Sequence, residues 1–210
     1  GVVMVVGRVL FYPAPVRVVE PTFVFPEDVP VAGWQIQARA ELALADEDDA
    51  AAVSVSGQRY SYRQGEQQVE VDLRYLIAPP GDVPVLIRDY IPDGLPENLS
   101  DDLMERQSPM GFYLLGTTDE QVFLSACINP YGGSTVGDRQ FKRNRNFYDI
   151  RHRFGAWLLG DDLKDERCLW SHLSTPLTTA LNGDESLTDL SSDDLNQAYA
   201  TLEQFWADWY

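Results

Sequence analysis

Residues 128–153, INPYGGSTVGDRQFKRNRNFYDIRHR, hold the side chains best suited to receive an anion. Six of the 16 Lys and Arg residues fall in these 26 positions, in a 210-residue chain of formal charge −17. Gly132 and Gly133 permit backbone conformations that turn successive N–H groups into a concavity, and Ser134 and Thr135 add hydroxyl donors. Arg139, Lys142, Arg143 and Arg145 supply charge, while Phe141, Phe147 and Tyr148 supply apolar contact area. The pattern predicts a surface that takes a carboxylate, a phosphate headgroup or an acidic stretch of a partner. The competing expectation is that these cations pair with the protein's own acidic loops and cover the sheet.

Catalytic chemistry has fewer candidates. His152 and His172 are the only imidazoles. His152 sits between Arg151 and Arg153, whose charge disfavours its protonated form. His172 alternates with Trp170 as a half-buried strand histidine would. Cys127 and Cys168 lie in apolar contexts and have no metal-site spacing. They read either as two buried thiols or as a bridge, which in the chain-entropy view would contribute about 4 kcal/mol. Either cysteine with His172 would make the dyad of a hydrolase or transferase. GGSTVG is neither a G-x-S-x-G elbow nor a phosphate loop, and the acidic clusters DEDD and GDDLKDE do not follow calcium-loop spacing. No cofactor and no metal are expected, and the chain reads as a binding protein rather than an enzyme.

The elements that must position these residues are mostly strands. Residues 53–77, VSVSGQRYSYRQGEQQVEVDLRYLI, contain two alternating runs around RQGEQQ, with Val53, Val55, Tyr60 and Tyr62 in the first and Val69, Val71, Leu73 and Tyr75 in the second. This predicts an antiparallel hairpin with one face inward and an irregularity at Gly57. Residues 34–44 predict a strand, and VLIRDYI (85–91) predicts a strand or a short helix. Ser100 is placed to cap a helical turn through DDLMERQ. GFYLLGT and QVFLSACI predict a second hairpin, and RCLWSHLSTPL a further strand. Phe147, Ile150, Phe154, Trp157 and Leu158 recur at helical spacing up to Gly160. In the tail, Ser191 and Asp194 approximate a capping box, followed by the apolar stripe Leu195, Ala198, Tyr199, Leu202, Phe205, Trp206 and Trp209. The expected fold is therefore α+β: a mostly antiparallel sheet built from hairpins, a central helix after the basic segment, and an amphipathic C-terminal helix.

The length suits one domain, expected over 34–210. Residues 13–33 hold five prolines and predict an extended arm lying over the surface. Residues 1–12 are apolar enough to be either the remnant of a membrane anchor or a first strand. The sequence contains no run of about 18 or more apolar residues, so none of its segments is expected to span a bilayer unaided. The acidic balance argues against nucleic acid as a partner, because phosphate affinity needs a favourable potential.

The order FPEDVPVAGWQ, QRYSYRQGEQQVEVDLRYL, INPYGGSTVGDRQFKRNRNFYD, WLLGDDLKDERCLWSHLSTPL and LEQFWADWY resembles that of the cyanobacterial proteins described as cyanoexosortase A system-associated, over about residues 23–210. The resemblance implies a short N-terminal membrane anchor preceding a domain on the periplasmic side. It also implies service to a membrane-embedded exosortase or to its substrates carrying sorting tags; no catalytic residue set is established for that family, so the resemblance assigns none to this chain. Anionic membrane lipid is the second expected ligand of the basic segment. An alternative is a subunit of another membrane complex, docked through Phe205, Trp206 and Trp209 of the tail helix.

Overall fold

The structure, a computed structural model, describes residues 23–43, 53–91, 102–130, 132–144, 167–177 and 192–209. The readings at residues 1–22, Ser100, Arg145, the helical run 147–158 with Phe147 and Tyr148, His152 and Ser191 lie outside the described residues. Strands dominate, and the α+β class holds: an eight-stranded, mostly antiparallel sheet carries three helices among the described residues.

The sheet is two meanders zipped together by a late strand. In the first meander β1 (Gln35–Glu41), β2 (Val53–Gln64) and β3 (Gln67–Ile77) pair in sequence order. In the second, β4 (Met104–Ser108), β5 (Gly111–Thr117) and β6 (Gln121–Ile128) do the same, and the short β7 (Ser134–Thr135) lies against the ends of β5 and β6. The last strand, β8 (Arg167–Pro176), enters between β3 and β6 and pairs antiparallel with both. Its sequence explains the position. Cys168 and Trp170 point to one side, Leu169 and Leu173 to the other, and a strand apolar on both faces belongs in the middle of a covered sheet.

Each face has its own core. Tyr60, Tyr62, Val69, Val71, Leu73, Leu115, Leu124 and Leu173 line the first face. The long helix over Ser192–Trp209 closes it with buried Leu202, Phe205 and Trp206, the heart of the expected stripe. The docking role expected for Phe205 and Trp206 is corrected accordingly. Both rings are filled in against this chain's own sheet, and Trp209 stacks on Trp206 at 5.7 Å, partly buried in the same core. The extended arm also belongs to this core. Phe25 and Val31 are buried, the Tyr60 hydroxyl donates to the Pro26 carbonyl (2.6 Å), and the Tyr62 hydroxyl donates to that of Val29 (2.9 Å). Each such bond contributes about 1 kcal/mol.

The second face is covered by the helix Val83–Tyr90, α1, which resolves the strand-or-helix choice there. Val83, Leu86, Ile87 and Tyr90 recur at i, i+3, i+4 and i+7, and Pro84 is tolerated because it sits in the first turn. They meet Leu76, Phe123, Cys127, Cys168 and Trp170, together with Phe141 from the helix Asp138–Asn144, α2. The C-terminal helix is α3. One expectation fails in this region. Residues 104–108 form edge strand β4 rather than a helical turn, because pairing with Gly111–Leu115 of β5 supplies backbone partners that a short polar helix lacks. The irregularity placed at Gly57 appears nearby, as a register shift between Ser54 and Ser56.

Candidate functional site

The basic segment divides into a buried half and an exposed half. Asn129 organises the first. Its side-chain oxygen accepts from the Gly133 N–H (3.1 Å), its carbonyl accepts from the Gly132 N–H (2.9 Å), and its own N–H donates to the Gly133 carbonyl (3.0 Å). β7 follows, with Ser134 and Thr135 almost fully buried. The Ser134 N–H donates to the Met110 carbonyl (3.0 Å), and the Thr135 hydroxyl to that of Cys127 (3.4 Å). The approach is close enough that a Cβ at Gly111 would lie 2.2 Å from the Ser134 carbonyl oxygen, so only glycine fits. The expected concavity of Gly132, Gly133, Ser134 and Thr135 donors is thus corrected: these groups hold the β6–β7 connection together.

The exposed half is α2. At about 100° per residue, Arg139, Lys142 and Arg143 share one side of the helix, and Phe141 points roughly opposite. Phe141 is buried in the second core and is not the contact residue expected. Lys142 pairs with Asp138 at 2.7 Å across one helical turn, both side chains being about half exposed, so the pair is weak. Arg139 and Arg143 are exposed, and neither forms an ion pair among the described residues. Gln140 fixes the start of the helix, its side-chain oxygen accepting from the N–H groups of Val136 (2.9 Å) and Gly137 (3.3 Å).

Sequence reading missed a polar cluster on the second face of the central strands. Asp72 on β3 lies opposite Arg59 on β2 and His172 on β8, and His172 lies opposite Ser125 on β6. Arg59 grips Asp72 with two parallel bonds, Nε to Oδ1 and Nη2 to Oδ2, both 2.6 Å. The guanidinium pKa is raised, first by that hydrogen bond and further by the charges of Asp72 and Glu70. Arg74 donates to the Ala43 carbonyl (2.7 Å) and lies 4.6 Å from the centre of the Tyr90 ring, and burial lowers its pKa. His172 is 3% exposed, between Trp170 (5.6 Å) and Phe123 (5.1 Å). Neither ring nitrogen has a hydrogen-bond partner, and burial pushes its pKa down to about 4. The half-buried histidine expected from alternation is in fact fully enclosed and neutral. No local signal marked the cluster: Asp72 and Arg74 alternate with the apolar residues of β3 as solvent-facing side chains would, and it is the pairing of β3 with β8 that brings His172 beside Asp72.

The Cys/His hydrolase reading also meets its geometry here. Cys127 on β6 and Cys168 on β8 are joined in a disulfide between neighbouring strands, with Cα atoms 5.7 Å apart. Both residues are buried, so neither sulfur is a thiolate within reach of a substrate. The bridge alternative is the one the structure contains. Among the described residues, no group of three or more His, Cys, Asp or Glu side chains is arranged to hold a metal ion. The chain matches no family model, no curated protein and no solved structure.

Proposed function

We propose that this chain is a non-catalytic binding domain on the extracytoplasmic side of a membrane, assisting an exosortase or its tagged substrates. The single observation that carries the binding role is the side of α2 on which Arg139 and Arg143 stand exposed and without an ion pair among the described residues, in a chain of charge −17. A guanidinium left open in this way recognises a planar carboxylate or a phosphate by two parallel hydrogen bonds. The buried disulfide supports an oxidising compartment, since such bridges persist outside the reducing cytosol. The resemblance in motif order supplies the exosortase system as the setting. The donors of Gly132 to Thr135 have no part in this contact, because the β6–β7 connection occupies them.

The test is the double charge reversal Arg139→Glu with Arg143→Glu in the full chain. Capture of the exosortase or of tagged substrate from solubilised membranes is expected to fall about tenfold or more. Stability should change by less than about 0.5 kcal/mol, as for other exposed substitutions. Unchanged capture would remove this surface from consideration. Loss of binding to phosphatidylglycerol vesicles, with protein capture intact, would assign the surface to lipid instead.

A further inference from the structure

On the first face, opposite α2, the turn Val31–Trp34, the tip of the β2–β3 hairpin and α3 enclose an open groove of about 340 Å³. Its longest wall is a second stripe on α3, beside the apolar one: Gln197, Thr201, Gln204 and Asp208. Steps of four, three and four residues align them along the helix over roughly 16 Å. Gln64 and Gln67 at the hairpin tip face this stripe, and Trp34 adds its ring. Ala32 and Ala200 contribute the smallest side chains of the lining and leave room between the walls.

The parts are held in place before any ligand arrives. The Trp34 N–H donates to the Val31 carbonyl (3.0 Å), closing a turn in which Gly33 has φ +81°. The positive φ at Gly33 favours glycine, and the Gln64 amide nitrogen lies 2.6 Å from where a Cβ would stand, which places the hairpin tip beside this turn. The Trp34 ring packs edge-on against buried Phe205 at 5.0 Å and 81°. Gln67 donates to the Thr201 hydroxyl (3.2 Å), and Gln204 to the Asp208 carboxylate (2.9 Å).

Four of the chain's 11 glutamines meet in this one groove. A primary amide presents an acceptor and two donors in one plane. Adjacent hydroxyls of a pyranose both donate and accept at matching separation, and the C–H face of the sugar packs on an aromatic ring. Among the described residues none that lines the groove is cationic, which disfavours phosphates and carboxylates in so acidic a chain. The amides, hydroxyl and carboxylate that interrupt the apolar surface of the groove do not suit an acyl chain, and a lone carboxylate does not make a metal site. An extended peptide would add to a sheet edge, whereas here side-chain amides and a helix form the walls. We propose that this groove binds a neutral oligosaccharide.

The probes are maltotetraose, cellotetraose, mannotetraose and chitotetraose, with a neutral Gly-Ser hexapeptide as the other arm, titrated into the full chain by calorimetry and followed by tryptophan fluorescence. At least one sugar is expected to saturate with Kd below about 1 mM. The double variant Gln64→Ala with Gln204→Ala should weaken it about tenfold or more with the melting temperature unchanged, and Trp34→Ala should abolish it. Because Trp34 also packs on Phe205, the glutamine variant is the deciding one if Trp34→Ala fails to fold. The variant Arg139→Glu with Arg143→Glu should bind sugar normally, which separates this groove from the α2 surface. No saturable sugar binding up to about 10 mM, peptide binding in place of sugar, or full affinity in the glutamine variant would each overturn the proposal.

Discussion

His172 makes the chain sensitive to acid in a way that can be worked from its surroundings. The imidazole is enclosed by Phe123 and Trp170, and neither nitrogen has a hydrogen-bond partner. Burial lowers its pKa from 6.5 to about 4, Asp72 opposing that shift and Arg59 adding to it. Above pH 6.5 the ring is neutral in both the folded and the unfolded chain, so pH has no effect through this group. Between 6.5 and 4 the unfolded chain binds a proton that the native state refuses. Stability therefore falls as pH falls, by about 1.4 kcal/mol per unit. Below 4 both states take the proton and the loss levels off. Integrated to pH 4, the loss is about 3 kcal/mol, a large part of the 5–15 kcal/mol typical of a domain. The net charge of −17 works the other way, because protonating carboxylates relieves self-repulsion. The comparison must therefore be with His172→Leu, which keeps every other charge. At pH 7 this variant should match or slightly exceed the wild type, since it replaces two buried, unpaired nitrogens by apolar atoms. Urea unfolding followed by tryptophan fluorescence, with the disulfide intact, should show the variant gaining on the wild type by about 3 kcal/mol between pH 7 and pH 4. A difference that stays flat over that interval, or a His172 ring titrating near 6.5 by NMR, would refute the reasoning.

Two further outcomes are expected. Reducing the Cys127–Cys168 bridge, or replacing both cysteines by alanine, should lower stability by up to about 4 kcal/mol, from a sequence separation of 41 residues; urea midpoints of the oxidised and reduced chain measure it, and coincident midpoints would mean the crosslink adds nothing. The Arg59–Asp72 pair should be asymmetric, because Asp72 is 6% and Arg59 41% exposed. Arg59→Ala strands a buried carboxylate and should cost about 2 kcal/mol or more, whereas Asp72→Ala leaves a guanidinium that water can reach and should cost less. Equal costs by denaturant titration would show that burial does not govern this pair.

Much of the fold was legible wherever one residue's neighbours in sequence were also its neighbours in space. Tyr60, Tyr62, Val69, Val71, Leu73 and Tyr75 alternate because their hairpin has an inner face, and Leu202, Phe205 and Trp206 recur at helical spacing because α3 buries one stripe. The local chemistry of the basic segment was legible too, but not its geometry. Gly132 to Thr135 look like free donors until Asn129, Met110 and the end of β6 are brought beside them.

The sequence by itself therefore determined the class of fold, the inward faces of its hairpins and tail helix, and the concentration of positive charge near α2. Only the tertiary structure decided that β8 enters between two meanders, since that pairing joins segments about a hundred residues apart and leaves no local periodicity. From that one insertion follow the burial of Asp72, Arg74 and His172 on the second face and the closing of Cys127 onto Cys168. The groove between Trp34, Gln64 and α3 is likewise set by three separate stretches of chain meeting on the first face. Periodicity reports which side of an element is apolar, but what stands opposite it depends on contacts whose loop-closure entropy no local pattern encodes.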